Sequence, residues 1–309
     1  MMHKGVLFFW TAVAFVFSLA LAPIRAQVPE LIPREVLFGN PLKSTPRLSP
    51  DGRRLAYLAP SEKGVMNIRV RILGKEEDVQ VTSDSKRGIR TYFWAEDNKH
   101  LLYIQDLAGD ENYHVYSTDL ESLVTRDLTP FLGIRAQNIL TDKHHPDEIL
   151  VGLNLRDRRI FDMYRINLTT GAVALDARNQ GDVVGWVTDP NFVIRAAIAS
   201  QNKDGSTILR VRDSVSAPWR TIGTWPFGED VSVIDFSQDG ASLLLETSIG
   251  SDTSRLARMD AATGKELETI AADPRCDLGE VMLHPDTRKV EAVSFSYLKP
   301  EWKVLDSGM

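Results

Sequence analysis

The chain has 309 residues, 43% of them hydrophobic and 25% charged, with a formal net charge of −6. This is the composition of a globular protein, long enough for one large domain or two ordinary ones. The acidic balance, with basic pairs such as Arg53-Arg54 and Arg158-Arg159 standing isolated, argues against a nucleic-acid partner, because phosphate binding needs clustered Lys and Arg. Cys276 is the sole cysteine, which rules out an intramolecular disulfide.

The amino terminus has a short basic head, His3-Lys4, then an apolar run from Val6 to Ala22, then Ile24-Arg25-Ala26 before Gln27. That layout predicts a secretory signal peptide over residues 1–26, cleaved after Ala26. The rival reading is an uncleaved anchor, but the run is near the lower limit for a spanning helix and contains Thr11 and Ser18. The expectation is an exported chain, periplasmic or extracellular, with no stable membrane insertion once the signal is removed. Residues 27–45, punctuated by Pro29, Pro33 and Pro41, read as a lead-in with one helical turn around Arg34–Phe38.

From residue 46 to 309 the pattern is strand after short strand. Ile68-Arg69-Val70-Arg71-Ile72 alternates with a period of two, as a half-buried strand does. The first set comprises 45–48, 55–59, 67–73 and 79–82. The second comprises 92–94, 101–105, 113–120 and 125–128. The third shows 149–154, 161–168 and 173–175. The fourth shows 183–187, 192–199, 208–213 and 219–224. The fifth shows 231–236, 243–247, 254–260 and 266–270, and its outer turn Ala262-Thr263-Gly264-Lys265 echoes Thr169-Thr170-Gly171-Ala172. The sixth begins with 280–283 and 290–295, then runs out over 297–309.

An acidic cue marks each set. Asp51, Asp97, Asp147, Asp189, Asp239 and Asp286 each precede an apolar strand, at a spacing of roughly 40–50 residues. That period predicts an all-β fold, a β-propeller of four-stranded blades, with about five complete blades and a partial sixth. The last blade lacks outer strands and a capping pattern, which predicts an incomplete ring and a fragment continued elsewhere. A five-bladed ring with a C-terminal tail is the alternative.

No Gly-x-Ser-x-Gly occurs in the sequence; the nearest pieces are Gly250-Ser251 and Ser307-Gly308. Without a nucleophile elbow, a phosphate-cradling loop or a dinucleotide fingerprint, no catalytic residue and no cofactor are expected. His144-His145 cannot readily share one metal, since neighbours on a strand face opposite ways. With no acid-and-His set at ligand spacing, no metal is expected. His145-Pro146-Asp147 and His284-Pro285-Asp286 read as matching polar turns. Asn167-Leu168-Thr169 fits a glycosylation acceptor, a pattern frequent by chance. Trp94, Trp186 and Trp225 read as packing between blades. In the loop Asp106–His114, Asp110 and Glu111 could bind a cationic group such as a peptide amino terminus. The plain alternative is a solvated hairpin in which Gly109 and Asn112 meet turn geometry.

Three stretches carry a resemblance. They are Pro46-Arg47-Leu48-Ser49-Pro50-Asp51-Gly52-Arg53-Arg54-Leu55-Ala56-Tyr57, Tyr92-Phe93-Trp94-Ala95-Glu96-Asp97-Asn98-Lys99-His100-Leu101-Leu102-Tyr103, and Asp110-Glu111-Asn112-Tyr113-His114-Val115-Tyr116. With the lead-in from Leu31 to Gly39, they resemble the N-terminal propeller of exported bacterial serine peptidases of the prolyl oligopeptidase family, in its acylaminoacyl-peptidase-like branch. The likeness covers about residues 30–305. It implies a propeller that caps an α/β-hydrolase domain and admits peptide substrates to it. None of that domain's triad maps onto this sequence, so the chain is expected to be inactive alone. Asp110 and Glu111 are the nearest match to the acids by which some relatives hold a peptide's amino terminus. A stand-alone periplasmic TolB-like propeller that binds protein partners is the second reading, since Ser-Pro-Asp-Gly also marks that group.

Overall fold

Residues 149–153, Ile-Leu-Val-Gly-Leu, form an apolar run too short for a helix and too continuous for a half-buried strand. In the computed structural model, which describes residues 31–201 and 203–308, they lie in a strand, Glu148–Asp157, buried on both faces. Ile149, Val151 and Leu153 enter a core shared with Ala95, Leu102 and Val115 of the sheet before. Leu150 turns the other way, against Phe192 and Ile194 of the sheet after. The period of two thus feeds two cores from one strand, which is what stacked sheets require.

Among the described residues, six antiparallel sheets follow one another along the chain. The first holds β1 (Ser44–Leu48), β2 (Arg54–Pro60), β3 (Met66–Ile72) and β4 (Asp78–Gln80). The second holds β5 (Thr91–Trp94), β6 (His100–Gln105), β7 (His114–Asp119) and β8 (Thr125–Asp127). The third holds β9 (Ala136–Leu140), β10 (Glu148–Asp157), β11 (Ile160–Asn167) and β12 (Val173–Ala177). The fourth holds β13 (Val183–Thr188), β14 (Ile194–Ser200), β15 (Thr207–Val211) and β16 (Arg220–Trp225). The fifth holds β17 (Val231–Phe236), β18 (Ser242–Thr247), β19 (Arg255–Asp260) and β20 (Glu266–Ala271). The sixth holds β21 (Leu278–Leu283), β22 (Val290–Ser296) and β23 (Pro300–Val304). Strands pair in chain order, and neighbouring sheets meet through their first strands, β1 with β5 and β13 with β17. The first strands are therefore innermost, and the sheets are the blades of a propeller.

Apolar cores sit between consecutive sheets, the fourth–fifth core built on Trp225 and Phe236 and the fifth–sixth on Leu256 and Phe295. Among the described residues no such cluster joins the sixth sheet to the first. Five four-stranded blades and a shorter sixth match the expected fold. The tryptophans pack as expected: Trp94 lies in the first–second core, and Trp186 lies against the third–fourth core and Trp219.

The separate leading unit, through Pro41, contains α1 (Arg34–Phe38), whose first turn is set by the Pro33 carbonyl accepting from the Val36 and Leu37 amides. The signal-peptide reading and its cleavage after Ala26 lie outside the described residues. Among those described, no helix is long and apolar enough to cross a membrane.

The structure corrects the sequence reading in two places and refines it in a third. The third sheet has a first strand, β9, that alternation does not reveal, because Asn138 takes a positive φ of 51° and the register shifts beside it. The sixth sheet has a third strand, β23, where the pattern had run out; its residues are exposed, so no apolar alternation announces it. All six Asp of the cue do precede strands, but only four of them act on the turn in the same way. Asp51, Asp97, Asp189 and Asp239 each accept the amide two residues on, at 3.0, 2.8, 2.9 and 3.0 Å, the side-chain mimic of a turn. In the third sheet Asp142 does this, accepting from His144 N at 2.8 Å, while Asp147 lends only its backbone carbonyl to Leu168. In the sixth, His284 Nδ1 accepts from the Asp286 and Thr287 amides.

The same inner turns place a residue in the left-handed region: Gly52, Asn98, Phe192, Gly240 and Arg288, with φ between 54° and 67°. Three of their carbonyls receive an arginine from the preceding sheet. Arg54 Nη1 reaches Asn98 O at 2.7 Å, Arg165 Nη2 reaches Phe192 O at 2.8 Å, and Arg195 Nη1 reaches Gly240 O at 3.2 Å. Turn carbonyls stand outside the strand ladder, and a guanidinium satisfies them with a charge-assisted bond.

Candidate functional site

The loop between β6 and β7 extends the second sheet at the end opposite the inner turns. It is a crowded hairpin: Ala108, Gly109 and Glu111 all have positive φ, of 58°, 91° and 58°. Holding Ala108 and Glu111 there takes support from outside the loop. Asp106 supplies part of it. Its carboxylate is buried, lies 3.3 Å from Arg87 Nη2 and accepts the Glu111 amide at 3.2 Å. Arg87 packs under the loop tip, where a Cβ on Gly109 would sit 2.9 Å from Nη1. Below it, Asp84 accepts from Gln105 Nε2 at 2.7 Å and from the Gly88 and Lys86 amides. Burial works against the Asp84 charge, but these donors together hold its carboxyl below the ordinary range.

The two acids singled out by sequence differ in employment. Asp110 is the turn former. Its Oδ1 accepts from the Leu107 and Asn112 amides at 3.2 and 3.1 Å, and its Oδ2 from Asn112 Nδ2 at 3.1 Å. The Asn112 side chain is the main reason its carboxyl lies below the ordinary value. Glu111 is exposed, and only its backbone is engaged, through Asp106. Among the described residues its side chain makes no hydrogen bond or ion pair, so the exposed carboxylate keeps its lone pairs free. Asp84, Arg87 and Asp106 were not singled out in the sequence; they sit in irregular stretches, 84–88 and the β6 exit, where no periodicity points to them.

His144 and His145 sit in the β9–β10 turn, as expected. His145 Nδ1 lies 3.2 Å from Asp142 Oδ1, and its ring stacks on Phe192 at 5.6 Å. Among the described residues no three His, Cys, Asp or Glu side chains converge as a metal would require.

No family model matches the chain. It is 36% identical over 313 residues to dipeptidyl aminopeptidase BIII of Pseudoxanthomonas mexicana, covering 97% of this chain. The chain belongs to the propeller region of the prolyl oligopeptidase family. It spans 45% of that relative's length. A second relative, dipeptidyl peptidase family member 6 of Caenorhabditis elegans, is 27% identical over 88% of this chain and 38% of its own length. Among solved structures, dipeptidyl peptidase 4 of Porphyromonas gingivalis superposes with a TM-score of 0.58 at 14% identity, over 86% of this chain and 46% of that one. That likeness carries the propeller fold, and the 36% identity to the Pseudoxanthomonas protein carries the family membership.

Proposed function

We propose that this propeller admits peptide substrates to a serine peptidase active site that lies outside these 309 residues, and that it does not cleave them itself. The observation that carries this reading is the 36% identity to a dipeptidyl aminopeptidase across 97% of the chain. Two others support it: the span of 45% of that relative, and a sequence with no Gly-x-Ser-x-Gly anywhere. In this reading Glu111 receives the substrate's α-ammonium group and Asp110 keeps the hairpin in shape. Export through the residues 1–26 signal would place the work in the periplasm or outside the cell.

A serine-directed fluorophosphonate probe applied to the purified chain is expected to label nothing above a heat-denatured control, and stoichiometric labelling of any serine would overturn the inactivity. Binding is tested with an alanine tripeptide, with its amino terminus free or acetylated, followed by amide chemical shifts. The free peptide is expected to shift the 106–114 loop and the acetylated one not to. Glu111→Gln should weaken the free peptide about two- to fivefold, the scale of one exposed ion pair. Equal binding of both peptides would remove the amino-terminus role.

A further inference from the structure

The inner turns of the six sheets are not alike. Four run over 49–53, 95–99, 189–193 and 237–241; those of the third and sixth sheets, 141–147 and 284–289, are longer. These two longer turns touch each other, although the fourth and fifth sheets separate them along the chain. Lys143 Nζ bonds the Asp286 carboxylate. Arg288 Nη2 lies 3.6 Å from Asp142 Oδ2, and its Nη1 bonds the Asp235 carboxylate at the end of the fifth sheet's first strand.

Arg288 also breaks the pattern of its turn. It holds the left-handed position occupied by Asn98, Phe192 and Gly240, whose carbonyls receive a guanidinium. In the sixth sheet the residue at that position is itself the guanidinium. It reaches back to the fifth sheet and across to the third. Asp142, the carboxylate it meets, already fixes the third sheet's turn through His144 N. Burial pushes the Asp235 carboxyl above its ordinary value, against the pull of the Arg288 guanidinium beside it.

We infer that turns 141–147 and 284–289 form a salt-releasable clasp, which ties the third sheet to the sixth at the inner-turn end of the propeller. The two parts have separate tasks. Arg288, half-buried between Asp142 and Asp235, anchors the sixth turn in place. Lys143 and Asp286, with side chains 38% and 62% exposed, form the releasable bond, because exposed pairs are screened by ions while buried ones are much less so. An anchored but screened contact between non-neighbouring sheets opens locally without the sheets separating.

Hydrogen–deuterium exchange of the whole chain tests this. Lys143→Glu is expected to speed exchange about two- to fivefold in both turns, 284–289 as well as 141–147, and 1 M salt should do the same to the unaltered chain. Lys143→Glu combined with Asp286→Lys re-forms the pair with its signs exchanged and should restore both turns. An effect confined to 141–147, or a reversed pair that leaves 284–289 as fast as the single variant, overturns the clasp. Since both side chains are exposed, the single variant keeps the fold, which an unchanged thermal midpoint would verify.

Discussion

Trp225→Ala will destabilise the chain by about 3–5 kcal/mol, the range for removing a buried tryptophan. Trp225 is 2% exposed, ends the outer strand of the fourth sheet, and belongs to the core that also holds Phe236, Leu243 and Leu245 of the fifth. Its indole Nε1 donates to Thr247 Oγ1 at 2.8 Å, so the substitution empties a large volume and deprives a buried hydroxyl of a donor. The ring lies over Gly223, where a Cβ would stand 2.3 Å from its Cζ3, so that position offers no side chain to fill the space the ring leaves. Trp225→Phe keeps much of the volume and loses the bond, and should cost visibly less. Denaturant unfolding followed by a probe in the first sheet and one in the fifth decides the matter. A loss below about 1 kcal/mol would mean that the two sheets do not depend on this core.

Gly264→Ala is expected to be nearly as damaging, for a different reason. Gly264 has φ +72°, where a Cβ is disfavoured, and the added methyl would stand 1.9 Å from the Ile222 carbonyl oxygen of the neighbouring sheet. A backbone carbonyl cannot rotate away as a side chain can. Strain in the turn and displacement of the neighbouring strand together should cost about 2–4 kcal/mol. Gly52→Ala provides the comparison. Its φ is +67°, but no atom lies within 4 Å of the added carbon, so the conformational term acts alone, at about 1 kcal/mol. Thermal midpoints of the two variants separate the causes. Equal losses would mean that the inter-sheet contact at Ile222 is soft.

The repeating sheets were legible because each buried strand leaves either a period of two or a short apolar run. The strands that escaped are those where one of these signals fails. β9 carries a left-handed Asn138 that breaks its register, and β23 has no buried face to impose alternation. The Asp cue was legible as a repeat but not as chemistry. Asp147 and Asp286 have the right spacing, yet the amide-accepting role passes to Asp142 and His284, because the longer turns shift which side chain lies over the amides. The loop of Asp110 and Glu111 could be read from its Gly and Asn, whereas the difference between the two acids could not. It depends on a positive φ at Glu111 that turns its amide toward Asp106. The contact of Lys143 with Asp286 joins positions far apart in sequence, and no local pattern encodes it.

The arginines that reach inner-turn carbonyls all point one way along the chain, from Arg54 to the second sheet, from Arg165 to the fourth and from Arg195 to the fifth. The outer turns obey the same direction, with Arg126 of the second sheet on Leu168 O of the third and Arg220 of the fourth on Ala261 O of the fifth. In these five arginine bonds, a polypeptide made from its amino terminus exposes the donor first and supplies the acceptor afterwards. A waiting guanidinium at the growing edge can stay hydrated, whereas a waiting turn carbonyl buried against a finished sheet would be left without a partner. For these bonds the order of synthesis and the direction of donation agree, so the second to fifth sheets each meet an arginine already in place on the sheet before.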